Sequence, residues 1–295
     1  MISKIQYFLL FAWVKFHAVL PMRVLYVLSD ILYVFIYKIV GYRLKVTRAN
    51  MKAAFPDKTE AERLDIECRF YHHFSDYILE TIKLAGISRK EISKRAVITN
   101  PGIVDKLMDD GHPCVIMLLG HYGNWEWYTT SGVFFKDAVL RQVYRPLKSK
   151  AFDELFIYLR TRFGASGIKK NDTIRDVITL AKNKIRSCVV LVSDQTPSKA
   201  NIHYWSDFLN QDSAMFTGGE RMASKLDLPV VFADARKTAR GYYEVEFKLI
   251  TDKPKETPEF WITEQYTRMM EATIIRDPAY WLWTHKRWKH KRNEE

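Results

Sequence analysis

Two short apolar runs open the chain, Ile5 to Val14 and Val24 to Tyr37. Lys4 and Lys15 close the first, and Arg23 and Lys38 close the second, which also encloses Asp30. A spanning helix needs roughly 20 predominantly apolar residues, because the hydrocarbon core is about 30 Å thick and a helix rises about 1.5 Å per residue. Neither run reaches that length. Aromatic-rich helices with cationic flanks suit an interfacial position, while snorkelling lysines leave one tilted span open. The alternative is that both helices pack on the protein's own core. Gly41, Tyr42 and the basic cluster Arg43, Lys45, Arg48 follow, where an anionic leaflet would meet a juxtamembrane segment. Residues 1–50 therefore read as membrane-anchoring helices and 51–295 as the body of the protein.

Downstream, Thr59 and Glu62 form a capping box, and Leu64, Phe70, Tyr71, Phe74, Tyr77, Ile78 and Thr81 recur at helical spacing, so one amphipathic helix is expected over residues 60–84. His72 and His73 lie on or beside its apolar face, where packing or solvation is the expected role. From residue 100 the pattern changes to short apolar runs: Cys114 to Leu119, Ala138 to Val143, Ser187 to Val192 and Pro229 to Ala233. Several are apolar throughout, as strands covered on both faces should be. Helical stretches lie between them at about 125–135, 149–163, 171–184 and 218–227, which implies an α/β sheet with crossover helices. Tyr242 to Ile250 alternates instead, with Tyr243, Val245, Phe247 and Leu249 on one face, and reads as an antiparallel edge strand. Thr257-Pro258 then starts a last helix, ending near Asp277-Pro278.

Charge changes the picture. The formal net charge is +12, and residues 1–50 carry seven basic side chains against one acid, half of the excess in the most apolar sixth of the chain. That distribution favours an anionic membrane surface over nucleic acid, for which no helix-turn-helix, zinc or RNA-recognition signature is present. Cys68, Cys114 and Cys188 show no pairing pattern, so neither a disulfide framework nor a zinc site is suggested. The N-terminal run lacks an A-x-A-like cleavage site, and its retention is expected.

Candidate chemistry gathers where ligands bind in α/β sheets, just beyond the carboxyl ends of strands. The first buried run ends in Gly120-His121-Tyr122-Gly123-Asn124-Trp125-Glu126. Asn124 is a plausible N-cap, placing Glu126 in a helix's first turn, close enough for the loop to fold His121 onto it. Such a pair is a general base with an orienting partner. A second His-x4-acid spacing, His290 with Glu295, falls in the charged tail and is accidental. Val143 is followed by Tyr144-Arg145-Pro146, and Val192 by Ser193-Asp194-Gln195. Arg145 suits a phosphate or a developing oxyanion, with Asp194 able to position it. Without a GxSxG elbow, direct attack by a substrate hydroxyl on an activated ester is the natural chemistry.

Together these residues resemble the lipid A biosynthesis late acyltransferases, a branch of the lysophospholipid acyltransferase superfamily. The resemblance runs over the basic, apolar N-terminus, Asn50-Met51-Lys52-Ala53-Ala54-Phe55-Pro56, the His121…Glu126 motif, Tyr144-Arg145-Pro146, Asp194-Gln195, and Pro278-Ala279-Tyr280-Trp281-Leu282-Trp283-Thr284-His285-Lys286-Arg287-Trp288. It implies a glycerolipid-acyltransferase-like mixed sheet flanked by helices, with residues 51–295 as the acyltransferase domain. It implies transfer of a fatty acyl group from an acyl carrier protein thioester to a hydroxyl of a lipid A precursor, at the cytoplasmic face of the bacterial inner membrane, without metal or covalent acyl-enzyme. His121 would be the base and Glu126 its orienting partner. Asn124, Tyr144, Arg145, Asp194, Gln195, His285 and Arg287 would bind and position substrate. The segment Tyr-Gly-Asn-Trp inside the motif departs from the family's usual pattern, so another lipid acceptor stays open, as does a non-catalytic lipid-binding protein.

Overall fold

The computed structural model describes residues 2–292. Glu295 of the accidental spacing and the last three residues of the expected 51–295 domain lie outside the described residues. The chain opens with α1 (Ile2–Ala18), α2 (Met22–Tyr33, continued as a π-helical stretch Val34–Ile39), α3 (Leu44–Ala54), α4 (Glu60–Lys83) and α5 (Arg89–Arg95). Next come β1 (Ala96–Ile98), α6 (Gly102–Asp109), β2 (Cys114–Leu119), β3 (Val139–Tyr144), α7 (Lys150–Thr161), β4 (Ser166–Lys169), α8 (Thr173–Lys182) and β5 (Ser187–Val192). The chain then forms β6 (Trp205–Asp207), β7 (Asp212–Ala214), α9 (Gly218–Leu226), β8 (Val230–Ala239), β9 (Tyr242–Thr251) and α10 (Trp261–Arg276).

The expected mixed α/β sheet is present, with seven strands in the order β1-β9-β8-β2-β5-β3-β4. Strands β8, β2, β5, β3 and β4 run parallel. All six residues of β2 are buried, as a continuous apolar run demands when helices cover both faces. β9 is antiparallel to β8, as its alternation predicts, but it is not an edge strand: β1 pairs with its outer side through Ala96, Val97 and Ile98. Three residues are too short for a periodicity to show. The helix expected at 125–135 is a 3₁₀ run, Trp127–Phe134. The Trp127 and Thr129 amides donate to the carbonyls of Asn124 and Glu126, three residues back, which is the tighter winding.

The N-terminal helices have two different faces. Val14, Ala18, Leu25, Ser29 and Tyr37 are buried, so one face packs on the core. Lys15 turns inward instead of snorkelling, donating to the Ala85 carbonyl at 3.0 Å. The other face exposes Phe8, Leu9, Trp13, Phe16, Val27, Ile31, Phe35 and Ile39. Among the described residues no single helix is long and apolar enough to cross a membrane, and the two helices meet at a bend of 116°. Exposed apolar faces on amphipathic helices suggest membrane association. Of the basic cluster, Arg48 is held in a two-pronged pair by Glu67 and Arg43 donates to the Thr284 carbonyl, while Lys45 is exposed.

Candidate active site

β2 and β5 are neighbours in register, Leu119 opposite Val192, so the loops beyond them leave the sheet side by side. The Ser193 amide donates to the Leu119 carbonyl at 3.0 Å, extending the ladder to the loop bases. His121 and Asp194 meet there. The imidazole Nδ1 lies 2.6 Å from Asp194 Oδ1, and Asp194 Oδ2 accepts from the His121 backbone N–H at 2.8 Å and from Trp281 Nε1 at 2.8 Å. Burial opposes ionisation of Asp194, but His121 and these donors hold its carboxyl below the ordinary range. An ionised partner on Nδ1 fixes the tautomer with Nε2 as the acceptor. The Gln195 amide lies 3.2 Å from that Nε2, and Trp125 meets the ring edge-on.

Glu126 is not His121's partner in this structure. Its buried carboxylate takes a two-pronged pair from Arg160 of α7, at 2.8 and 2.7 Å. The loop geometry explains the difference. Gly123 has φ +61°, and a Cβ there would collide with the Tyr128 hydroxyl; a Cβ on Gly120 would collide with the Met270 side chain. The chain therefore folds tightly at both glycines, and Asn124 accepts from the Trp127 amide, so Glu126 emerges toward α7.

Helix α4 braces this loop. His73, buried and pushed well below its ordinary pKa by burial and then by Lys237, approaches the Gly123 carbonyl with Nε2 at 3.2 Å. Glu80 accepts from Asn124 at 2.8 Å, from the Tyr243 hydroxyl at 2.7 Å and from the Tyr26 hydroxyl at 3.1 Å. Both ends of the Asn124 amide are thus engaged within the protein, and its side chain braces the loop. His73, Glu80, Arg160 and Trp281 were not singled out from the sequence as site residues. The legible signal was Asp76 and Glu80, one helical turn apart among core-facing positions of α4, where acids need partners.

The other expected residues fall in different places. Arg145 is exposed beyond β3 and is not brought to Asp194; Tyr144 beside it is half-buried. The C-terminal segment reaches the site. Asn50 donates to the carbonyls of Trp283 and His285 at 2.8 and 2.9 Å, so the two distant segments that carry the resemblance touch each other. His285 Nε2 is buried without a partner among the described residues, and burial pushes its pKa down to about 4. Arg287 is only 1% exposed, which keeps it from meeting a substrate in this conformation. A narrow aromatic crevice beside Trp125, about 10 Å³ in this conformation, is lined by Phe74, Tyr77, Tyr280 and Leu282 among others.

A histidine–carboxylate pair lies at the carboxyl edge of a mostly parallel sheet, and N-terminal amphipathic helices with bare apolar faces suggest a membrane-associated α/β protein. The family model described as bacterial lipid A biosynthesis acyltransferase matches residues 1–290, and the chain belongs to that family. It is accordingly an enzyme of lipid A biosynthesis that moves an acyl group from a donor to a lipid acceptor. No curated protein matches the sequence.

Proposed function

We propose that the protein transfers a fatty acyl group from an acyl carrier protein thioester to a hydroxyl of a lipid A precursor, at the cytoplasmic face of the bacterial inner membrane. The observation that carries the reading is the 2.6 Å contact between His121 Nδ1 and Asp194. It leaves Nε2 as the basic atom, on a ring that is 18% exposed and so reachable. The acceptor hydroxyl displaces the Gln195 amide, gives its proton to Nε2 and attacks the thioester carbonyl carbon. The tetrahedral intermediate collapses with loss of the thiolate, which takes the proton from the imidazolium. Asp194 holds the ring and offsets the charge it gains. No acyl-enzyme is needed, and the buried strand thiols make poor nucleophiles: burial pushes Cys114 up to about 11 and Cys188 higher.

In this reading Asp194 takes the orienting role expected of Glu126, and Glu126 with Arg160 anchors the loop to α7. Tyr144 and Arg145 face arriving anionic groups from the same carboxyl edge. Residues 1–50 hold the enzyme to the leaflet, and residues 51–295 form the catalytic domain. The test is incubation with an acyl carrier protein thioester and extracted lipids, with products identified by mass spectrometry. His121→Ala should lower turnover by about 10²-fold or more. Near-normal transfer by a folded His121→Ala protein would sink the reading.

A further inference from the structure

Glu80 is wholly buried in α4, and three groups from different parts of the chain donate to its two side-chain oxygens. Oε2 accepts from Asn124 Nδ2 at 2.8 Å and from the Tyr243 hydroxyl at 2.7 Å, and Oε1 accepts from the Tyr26 hydroxyl at 3.1 Å. The Glu80 backbone carbonyl accepts from Trp127 Nε1 at 2.8 Å. Asn124 and Trp127 belong to the loop and 3₁₀ turn that follow His121, whereas Tyr26 belongs to α2, which leaves Val24, Val27 and Ile31 bare on its outer side. One buried residue thus ties an N-terminal helix to the segment beyond β2. The sense of the Asn124 bond is fixed: Asn124 Oδ1 accepts from the Trp127 amide at 3.1 Å, so the side-chain N–H group faces Glu80 and needs an acceptor there. A buried donor without a partner is costly, so the loop would move to satisfy it. Trp125, the next residue, meets the His121 ring edge-on with centroids 5.1 Å apart, and a shift of Asn124 therefore reaches the imidazole by contact.

We propose that Glu80 is a positioning residue: by accepting from Asn124 it holds the loop that sets the His121 ring, and through Tyr26 it makes the seating of α2 part of that hold. This inference rests on the reading of His121 as the base. α2 is fastened to the same face of α4 at neighbouring points. Ser29 donates to Asp76 at 2.8 Å, and Arg240 bridges Asp76 to Asp30 of α2 with contacts of 2.7 and 2.6 Å. The helix with the bare outer side is therefore docked through buried polar bonds, and one of them, from Tyr26, ends on the carboxylate that holds Asn124. On this account α2 does more than carry apolar surface: it completes the support of the reactive loop.

The test uses the full-length protein in detergent, with Glu80→Leu, Glu80→Gln, Tyr26→Phe and the double variant Tyr26→Phe with Glu80→Leu. Two readouts are taken: kcat and KM for acyl transfer, and amide hydrogen exchange across residues 121–129. Glu80→Leu should raise that exchange and lower kcat, each by about tenfold or more, with KM for the thioester moving less than about twofold. Glu80→Gln should restore most of both, because its carbonyl still accepts from Asn124 while its NH₂ group faces the Tyr26 hydroxyl. Tyr26→Phe should move both in the same direction by about threefold, and should add nothing once Glu80 is leucine, since Tyr26 acts through Glu80. Equal losses in Glu80→Leu and Glu80→Gln would mean a packing role alone and overturn the proposal, as would an undiminished Tyr26→Phe effect in the double variant. If Glu80→Leu does not fold, Tyr26→Phe decides: raised exchange with lowered kcat supports the proposal, and either one unmoved overturns it. The exchange readout needs no turnover. Raised exchange confined to residues 121–129, in a protein whose unaltered form transfers no acyl group, upholds the hold of Glu80 on the loop and defeats the proposed function, while acyl transfer with unmoved exchange does the reverse.

Discussion

Asp194 holds His121 at two points, through the imidazole Nδ1 at 2.6 Å and through the backbone amide at 2.8 Å. One carboxylate thus orients both the ring and the loop that carries it. Asp194→Asn should keep the fold and lower kcat by about 10²-fold or more, because the neutral amide stabilises neither the imidazolium nor the correct tautomer. Single-turnover assays with circular dichroism as the folding control decide it. A loss below tenfold would assign the orienting role elsewhere.

The Glu126–Arg160 pair predicts a different signature. Removing one member of a buried pair strands the other, so Arg160→Ala should cost about 3 kcal/mol of stability, read from thermal or denaturant unfolding. Glu126→Gln keeps the shape and loses the charge. It should lower stability and reduce kcat less than Asp194→Asn does. If Glu126→Gln proves the more damaging to kcat at unchanged stability, Glu126 and not Asp194 is the working partner.

Acid stability follows from two histidines, the buried His73 and the half-buried His285. His73 is held well below its ordinary value and His285 at about 4, chiefly by burial, so both stay neutral in the folded state while the unfolded chain takes up protons near pH 6.5. The unfolded state then binds more protons, and stability should fall as pH drops from about 6.5 toward 4. Asp194 and Asp234, held low, keep their contribution until pH falls below their unfolded values near 3.8. Urea midpoints between pH 7 and 4.5 check this. His73→Gln should flatten the slope, and an unchanged slope would exclude His73 as a source.

The bare faces of α1 and α2 predict a separation of binding from folding. Phe8→Ser with Ile31→Ser should weaken partition to anionic vesicles by about tenfold or more, since each change removes an exposed large apolar group from the contact. The melting temperature should move little. Vesicle co-sedimentation provides the measurement, and unchanged partition would exclude these faces as the contact.

Much of the fold was legible because burial writes a local signature. β2 is apolar throughout and β5 is apolar after Ser187, the two pair near the centre of the sheet, and the capping box at Thr59 and Glu62 starts α4 where expected. The three-residue β1 escaped because so short a segment has no period, and its pairing made β9 an interior strand. At the site, the loop residues after β2 and β5 were identifiable from their position, but their partners were not. Spacing favoured Glu126, five residues from His121 in sequence; Asp194, 73 residues away, is the one in contact.

The division has a physical cause. Local pattern determines which segments must be buried and whether they coil or extend, since helix and strand periods are properties of neighbouring residues. Sequence alone therefore specified the alternating α/β order, the apolar and basic N-terminus, and His121 beyond a buried strand. Which carboxylate meets that imidazole depends on strand order, on the tight turns at Gly120 and Gly123, and on where the C-terminal segment docks. Those are long-range contacts, and only the tertiary structure decided that Asp194 meets the ring, that Arg160 claims Glu126, and that Arg287 is buried.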